Sequence, residues 1–382
     1  MGFFYSGGGE RTVLNQAKGL EKKGHQVKVY TPIIEENCFP ELRKDIEVIQ
    51  ISNKVPESTP FKTALKMIES SLRVPIKEFR DRDILIAHGQ PSNWIAYQVS
   101  KKTAIPYISY LHQANRFLHP REIDQKTGWS TDPSLALLNT LHKNNAVISK
   151  LDNLSITTSR IILTNSNWIR GKILQAYQKN SVICYPGVDK EKFNPSKKKP
   201  ENKILTTNRH IPQKRIDYLI KCVKQISVEY PEIECIITGE TTSHTRELKE
   251  ITSKLRLEKN VTFTGKLSSE QLVSTYQSAY TYGYTSQEED FGLGPLEAAA
   301  CNVPSIVWDY AGPRETEING KTGYRIRPYD LDEMAKKHIQ LLGDPDLREK
   351  LGKNARKHIE NRFTWETHCN RLEQVMEKVL NC

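Results

Sequence analysis

Short apolar runs alternate with amphipathic helical patterns along most of this chain, and this alternation constrains the fold more than any other feature. The runs "DILIAHG", "PYISYLH" and "RIILTNS" are each followed by, or close to, a stretch with helical spacing of apolar residues. The cycle begins again with "KILTTNR" and continues through "ECIITGE", "VTFTG", "TYGYT" and "VPSIVWDY". Such alternation is typical of parallel sheets covered by helices on both faces. The sequence therefore predicts an α/β fold.

The alternating pattern falls into two sets, separated by the polar stretch "NPSKKKPEN" at residues 194–202. A chain of 382 residues is also too long for one ordinary core. We predict two doubly wound, Rossmann-like domains at residues 1–195 and 196–360, facing each other across a central cleft. A C-terminal helix at residues 361–382 is expected to pack back towards the N-terminal domain. Ligands of such sheets bind beyond the carboxyl ends of the strands, so the cleft is the expected site.

The N-terminal end of the pattern is unusual. Only "MGFFY" precedes the glycine-rich segment "GGGER" at residues 7–11, although a central first strand should be longer. Two explanations stay open: either the first strand is stunted, or the natural start lies upstream of Met1.

Charge and cysteine content narrow the classes of function. The net charge of +11 favours anionic partners, but the basic residues are scattered, so a solvated basic surface explains it equally well. No basic patch with interleaved aromatic residues is present, and we expect no nucleic-acid partner. Seven cysteines without a Cys-x-x-Cys pair indicate reduced thiols and a cytoplasmic location. No run of eighteen apolar residues could span a bilayer.

The segment "EEDFGLGPLEAAACNVPS" at residues 288–305 is the most informative motif. Gly292 and Gly294 allow a ligand to approach the backbone, and Pro295 suits the first position of a helix whose amides would face an anion. Glu297 is expected in the first turn, and Glu289 in the loop before it. Their carboxylates suit sugar hydroxyls. Glu297 also suits an ordinary helix cap, and Glu289 a solvated loop charge.

With its two acids at Glu289 and Glu297, this motif resembles the E-x7-E signature of the retaining glycosyltransferases of family 4, which have the GT-B fold. The segments "GGGER", "NRHIPQKRID", "VTFTGKLSSEQL" and "YAGPRETEINGKTGYRI" resemble other segments of that family, in the same order. The resemblance therefore extends over nearly the whole chain.

The resemblance implies roles for individual residues. Arg209 and Lys214 would neutralise the diphosphate of a nucleotide sugar, Glu297 would bind its ribose, and Glu289 its sugar hydroxyls. His112 would face the donor sugar from the N-terminal domain. We count Glu289, His112, Arg209 and Lys214 as catalytic. Further donor contacts are expected from Phe291, Gly292, Leu293 and Gly265, and contacts to the acceptor or the diphosphate from Gly7, Gly8, Gly9 and Arg116.

The implied reaction is transfer of a hexose from a nucleotide sugar to an acceptor hydroxyl, with retention of configuration and without a metal or other cofactor. The segments "HQANR" and "YPGVD" resemble the mannosyl-transferring branches, so mannose from GDP-mannose is the first prediction. Ala114 and Gly187 stand where those branches often carry proline. A UDP-glucose or UDP-N-acetylglucosamine enzyme is therefore the alternative. The acceptor would be a glycan or a lipid-linked glycan.

Two more distant alternatives stay open, namely a nicotinamide-dependent oxidoreductase and a non-catalytic protein that binds through its basic surface. "GGGERT" lacks the glycine spacing that a dinucleotide fingerprint needs. The stretch "FKTALKMIESSLR" has apolar residues at Phe61, Leu65, Ile68 and Leu72 with basic residues between them. This stripe either packs on its own sheet or rests on an anionic membrane surface, which would make the enzyme cytoplasmic and peripheral to the membrane.

Overall fold

The computed structural model of the protein describes residues 2–4, 7–56, 58–59, 61–127, 133–142 and 145–381. The chain divides into two compact units. The first unit comprises Met1–Gly187 together with Trp365–Cys382, and the second comprises Val188–Thr364.

The first unit begins with alternating helices and short strands. Its helices are α1 Gly8–Lys22, α2 Pro40–Arg43, α3 Lys62–Leu72, α4 Ser92–Thr103, α5 Glu122–Thr127, α6 Pro133–His142, α7 Ala146–Thr157 and α8 Asn167–Tyr177, and a 3-10 turn covers Ile76–Phe79. Its strands are β1 Val29–Thr31, β2 Val48–Gln50, β3 Leu85–His88, β4 Tyr107–Leu111, β5 Ile161–Thr164 and β6 Val182–Ile183. All pairs among these strands are parallel. They form two sheets, β1-β2 and β3-β4-β5-β6.

The second unit continues the alternation around one larger sheet. Its strands are β7 Lys203–Thr207, β8 Glu234–Thr238, β9 Val261–Gly265, β10 Thr281–Tyr284, β11 Ser305–Trp308 and β12 Gly323–Ile326. Its helices are α9 Ile216–Glu229, α10 His244–Lys254, α11 Ser269–Ser278, α12 Leu293–Ala300, α13 Pro313–Thr316, α14 Leu331–Gly343 and α15 Pro345–Arg362, and a 3-10 turn covers Pro212–Lys214. The sheet order is β12-β11-β10-β7-β8-β9, and every pair is parallel. The predicted α/β architecture of parallel, helix-covered sheets is confirmed.

The last helix, α16 Trp365–Leu380, packs on α1 within the first unit. Its apolar residues Leu372, Val375, Met376 and Val379 recur every three or four positions and are all buried. This spacing places them on one face of a helix, and that face covers the sheet residues Ile108, Tyr110 and Leu163.

The core of the second unit also forms by burial of one apolar helix face against the sheet. Helix α9 buries residues at the spacing expected for one apolar face, and they pack against strand residues of β7 and β8. These buried helix residues are Ile216, Leu219, Ile220, Val223 and Ile226. A capping box at Ser268 and Gln271 fixes the start of α11, because each side chain bonds the other residue's amide.

The stripe on α3 is only partly covered. Phe61, just before the helix, is 46% exposed and Leu72 at its end is 75% exposed, whereas Leu65 and Ile68 between them are half-buried. In the described part of the chain, no helix is both long enough and apolar enough to cross a membrane.

Candidate active site

In the second unit, two predicted segments meet at one edge of the sheet. Strands β7 and β10 are parallel neighbours, so the loops that follow them lie side by side. The Thr285 hydroxyl donates to the carbonyl oxygens of Lys214 (3.1 Å) and Arg215 (2.9 Å). The Gln287 amide donates to the Gln213 carbonyl at 3.0 Å. The structure thus brings the "NRHIPQKRID" segment and the acidic motif together.

Lys214 and Glu289 are in direct contact. The Lys214 ammonium forms an ion pair with Oε2 of Glu289, and each side chain is 19% exposed. The Ser286 hydroxyl donates to the same oxygen at 2.8 Å. Because both charges are largely shielded from water, their attraction is stronger than that of an exposed pair. The predicted cation and the predicted acid therefore form one charged pair, held by Ser286.

The helix that follows this pair starts earlier than the sequence predicts. Helix α12 begins at Leu293 with Gly292 as its N-cap, so Pro295 occupies the third position rather than the first. The sequence predicts Glu297 in the first turn. In the structure Glu297 is the fifth residue of α12 and lies beyond that turn. Proline is tolerated because an amide in the first turn has no partner within the helix. The left-handed φ of +91° at Gly292 makes this early start possible, since glycine adopts that conformation without strain.

Glu297 is buried and bonded to a tyrosine. The Tyr276 hydroxyl donates to Glu297 Oε2 at 2.7 Å, and burial raises the pKa of Tyr276 well above its usual value, with the Glu297 charge as the next cause. Tyr276 also lies 2.6 Å from the Thr207 hydroxyl, which lies 2.8 Å from the Tyr282 hydroxyl. Sequence reasoning missed this network, because nothing in the pattern links Tyr276 on α11 with an acid 21 positions away.

Residues at the ends of β7, β8 and β9 complete this edge of the sheet. Arg209 is half-buried and directly follows Asn208, whose amide donates to the Thr238 carbonyl at 2.9 Å. The Gly239 amide donates to the Gly265 carbonyl at 3.0 Å. A Cβ on Gly239 would lie 1.9 Å from the Asn208 carbonyl oxygen, so only glycine allows this approach of the backbone. Gly265 itself has a left-handed φ of +69°.

The predicted helix amides begin at the same edge. Phe291 is buried, with its ring 5.9 Å from that of Phe363, so only the backbone of Phe291 is available to a ligand. Gly292 and Leu293 open α12. The first amides of a helix point along its axis and carry a partial positive charge. The arrangement therefore combines a cation, two carboxylates and a helix N-terminus.

In the first unit, His112 belongs to a buried polar network. Its Nε2 lies 3.1 Å from Nδ1 of His88, and the Gln16 amide links His88 (3.3 Å) to His368 (3.2 Å). His368 Nδ1 lies 2.8 Å from the Tyr185 carbonyl oxygen. Burial is the main cause that lowers the pKa of all three histidines, to about 4 for His368. The three imidazoles are therefore neutral at pH 7.

Neutral imidazoles fix the direction of this network. The Gln16 NH₂ group donates to Nε2 of His88, so a neutral His88 carries its proton on Nδ1 and donates it to Nε2 of His112. The Gln16 carbonyl oxygen faces Nε2 of His368 and accepts from it. In this assignment His112 accepts at Nε2.

The other predicted residues of the first unit have structural partners. Arg116 forms a two-bond ion pair with Asp124, whose carboxylate also binds Arg121 at 2.9 and 3.0 Å. Burial would raise the pKa of Asp124, but the bonds from Arg121 and Arg116 outweigh it and the pKa is lowered. Gly7 is the N-cap of α1, and Gly8 and Gly9 form its first turn. Among the described residues, no group of three or more histidine, cysteine, aspartate or glutamate side chains is placed to hold a metal ion.

Two known families match this chain and together span most of it. The family described as "Glycosyltransferase Family 4" matches residues 6–192, and the one described as "Glycosyl transferases group 1" matches residues 187–358. Among solved structures, sucrose-phosphate synthase from Thermosynechococcus elongatus has a TM-score of 0.77 at 18% identity and covers 99% of this chain and 95% of its own. Anabaena HepE in complex with UDP and glucose has a TM-score of 0.76 at 19% identity and covers 97% and 96%.

Curated relatives of low sequence identity are named mannosyltransferases. The mouse protein alpha-1,3/1,6-mannosyltransferase ALG2 is 24% identical over 98% of this chain and 94% of its own. A Corynebacterium glutamicum protein is 28% identical over 50% of this chain and 54% of its own, and is named GDP-mannose-dependent monoacylated alpha-(1-6)-phosphatidylinositol monomannoside mannosyltransferase. The fold and the matched families define a glycosyltransferase with the GT-B fold. The chain belongs to glycosyltransferase family 4, and it resembles that family's mannosyl-transferring branches.

Proposed function

We propose that this glycosyltransferase transfers mannose from GDP-mannose to a hydroxyl of a glycan or lipid-linked glycan, with retention of configuration and without a metal. The contact between Lys214 and Glu289 beside the first turn of α12 is the observation that carries the proposal. A diphosphate gains negative charge as the glycosidic bond breaks. A fixed ammonium and helix amides stabilise that charge without a metal ion.

Each carboxylate then has a separate task in donor binding. Glu289 shares its Oε2 with Lys214 and Ser286, so a sugar hydroxyl that bonds Glu289 would lie next to the cation. Glu297 is held by Tyr276 and would accept hydrogen bonds from the ribose. Arg209 would add a second positive charge to the diphosphate. Glu289, Lys214, Arg209 and His112 are the residues that we propose to be catalytic.

The proposed reaction has no covalent enzyme intermediate. The acceptor oxygen attacks the anomeric carbon on the face that the diphosphate leaves, and the leaving phosphate oxygen takes the acceptor's proton. The protein contributes by positioning the two substrates and by stabilising the leaving group. The neutral imidazole of His112 would donate or accept a single hydrogen bond to the sugar rather than supply a charge.

Mannose is supported by the "HQANR" segment and by the names of two relatives, both mannosyltransferases, one of them GDP-mannose-dependent. The second candidate is a UDP-hexose donor, and the UDP and glucose bound to HepE favour it. We also propose a cytoplasmic enzyme that contacts the membrane surface through α3, because Phe61 and Leu72 are exposed beside basic residues.

A donor panel tests the proposal. The protein is incubated with GDP-mannose, UDP-glucose or UDP-N-acetylglucosamine in EDTA, and thermal stabilisation and slow donor hydrolysis are measured. We expect the largest response with GDP-mannose. A response to UDP-glucose alone would favour the second candidate, and a response that requires added Mg²⁺ would refute metal independence.

Variants then test the assigned residues. Lys214→Ala should lower kcat/KM by about 10²- to 10³-fold, the usual effect of losing one group that stabilises developing charge. Lys221→Ala on α9 is the matched control, because Lys221 pairs only with the neighbouring Asp217 among the ion pairs of the described residues. Equal activity of the two variants would remove Lys214 from the mechanism.

A further inference from the structure

A buried carboxylate on α7 contacts the loops that follow β3 and β4 in the first unit. Asp152 is 5% exposed. Within the residues that the structure describes, every hydrogen bond to its carboxylate comes from a neutral side chain. A charge taken out of water destabilises the fold unless donors replace its hydration. These bonds therefore have to be present for Asp152 to stay ionised inside the unit.

The carboxylate joins three separate segments of the chain. Its Oδ1 accepts from the side-chain amide of Gln90, just after β3, and from that of Asn115, just after β4, both at 2.9 Å. Its Oδ2 accepts from the hydroxyl of Tyr177, at the end of α8, also at 2.9 Å. Because an ionised carboxylate only accepts hydrogen bonds, all three neighbours must turn a donor towards it.

The bonds to Asp152 also fix where the two amide oxygens point. The Gln90 side-chain oxygen accepts from the backbone amide of Trp94 at 3.3 Å, at the start of α4. The Asn115 side-chain oxygen accepts from the backbone amide of Phe117 at 3.2 Å. Each side chain thus links its own loop to Asp152 and to a backbone amide. Neither loop can shift without leaving a buried donor or acceptor unsatisfied.

The tied positions lie just beyond the two histidines of the buried network. His88 ends β3, two residues before Gln90, and His112 follows β4, three residues before Asn115. The imidazoles are joined by the 3.1 Å hydrogen bond from His88 to His112. The parallel ladder of β3 and β4 holds the two histidines on one side. Asp152 holds the loops that follow them on the other side.

We propose that Asp152 is a positioning residue, which fixes the two loops so that the His112 imidazole reaches the donor sugar. The inference rests on the proposed function, in which His112 faces that sugar. With Nε2 accepting from His88, a neutral His112 carries its proton on Nδ1, and this N–H is the group that it donates to the sugar. Asp152 is buried and acts through His112 rather than on the substrate. Misplacement of such a contact by about 1 Å costs about 10²-fold in rate.

The first test measures kcat and KM for slow hydrolysis of GDP-mannose by the full chain. Asp152→Ala removes the acceptor of three buried donors, so kcat should fall by about 10²-fold while the donor KM changes little. Asp152→Asn can keep an oxygen at the Oδ1 position and turn its NH₂ group to the Tyr177 hydroxyl, which can accept. This conservative variant should therefore restore most of the lost activity. Failure of Asp152→Ala to lower kcat would overturn the proposal.

Tyr107→Phe is the matched control. Tyr107 joins the same two elements, because its hydroxyl donates from the start of β4 to the Ser155 carbonyl of α7 at 2.8 Å. The variant should lower the midpoint of thermal unfolding and leave kcat unchanged. An equal loss of kcat in Tyr107→Phe and Asp152→Ala would overturn the proposal, because general loosening of α7 would then explain both.

A double-mutant cycle shows whether Asp152 acts through His112. In the His112→Gln background, Asp152→Ala should lower kcat little further, and an equal factor in both backgrounds would overturn the proposal. A second readout needs no activity. Nitrogen NMR of labelled histidine side chains should show His112 protonated on Nδ1 in the wild type and a mixture of tautomers in Asp152→Ala. Unchanged His112 shifts in the variant would also overturn the proposal.

The design separates this proposal from the proposed function. If the wild type hydrolyses no donor and Asp152→Ala still changes the His112 shifts, the proposed function is wrong and the coupling of Asp152 to His112 stands. If Asp152→Ala does not fold, Asn115→Ala takes its place, because it cuts the link to the β4 loop and leaves Asp152 with two donors. Full kcat and unchanged His112 shifts in Asn115→Ala would overturn the proposal.

Discussion

Glu317 should make the stability of the second unit depend on pH. This glutamate is buried beside the start of β11 and β12, and the Thr322 hydroxyl donates to its Oε2 at 2.8 Å. Burial raises the pKa of Glu317 to about 8, although hydrogen bonds from Thr322 and Ser305 and the charge of Arg325 act in the opposite direction. At pH 7 the folded protein therefore keeps this carboxyl protonated, whereas the unfolded chain ionises it.

The magnitude follows from linkage. A group whose pKa is raised in the folded state gives its full stability below the unfolded pKa, here 4.5, and loses it as the pH rises through the folded pKa. Each pH unit in that window changes the free energy of unfolding by about 1.4 kcal/mol. Between pH 6.5 and 8, Glu317 should therefore lower the unfolding free energy of the second unit by about 2 kcal/mol. Histidines with lowered pKa values, such as His210 and His338, act in the opposite direction near pH 6.5, and a comparison with a Glu317 variant cancels their contribution.

The variant Glu317→Gln removes the ionisation and keeps both hydrogen-bonding groups. Chemical denaturation of the wild type and of the variant is measured at pH 6.5, 7.25 and 8, following the transition of the second unit. The difference in unfolding free energy should move by about 2 kcal/mol in favour of the variant across this range. Glu232→Gln, at an exposed glutamate of the same unit, is the control and should run parallel to the wild type. Parallel curves for Glu317→Gln would refute the argument.

Three further predictions concern the site and its surroundings. Tyr276→Phe removes the hydrogen bond that Tyr276 donates to buried Glu297, so the second unit should lose about 1–3 kcal/mol and the donor KM should rise more than kcat falls. An unchanged KM, measured by donor titration, would separate Glu297 from donor binding. Gly239→Ala places a Cβ 1.9 Å from the Asn208 carbonyl oxygen at a φ of +140°, so it should lower the free energy of unfolding by at least about 3 kcal/mol in denaturant unfolding. The control is Gly171→Ala in α8, where a Cβ meets nothing within 4 Å, and it should be neutral or stabilising. The pKa of His368 is lowered to about 4, so its contribution to stability is present above pH 6.5 and is lost as the pH falls. His368→Gln should therefore reduce the drop in unfolding free energy between pH 6.5 and 4.5 by about 2–3 kcal/mol. An equal drop in wild type and variant would contradict this.

The acidic motif shows which features of the site a sequence pattern can predict. Glycine adopts left-handed turns without strain and proline suits the first turn of a helix, so "FGLGPLE" predicts a turn and a helix start. The structure has both, and the helix starts two residues earlier than predicted. The roles of Glu289 and Glu297 came from the family resemblance rather than from the pattern. Neither the pattern nor the resemblance indicated that Ser286 holds Glu289 or that Tyr276 holds Glu297.

The His88–Gln16–His368 network shows what the sequence alone cannot predict. Its members come from the start, the middle and the end of the chain, and each of them alone looks like an ordinary buried polar residue. They meet because β3 and β4 are neighbours in the sheet and because α16 packs on α1. Tertiary packing also lowers the histidine pKa values, since burial is their main cause.

The sequence by itself determined the class of fold and the order of the elements, because the spacing of apolar residues and the places of glycine and proline are local properties of the chain. The tertiary structure alone decided which side chains touch: Lys214 with Glu289 across 75 positions, Glu297 with Tyr276, and Glu317 in a site that keeps it protonated. Such contacts depend on how distant segments pack, and local spacing carries no information about that.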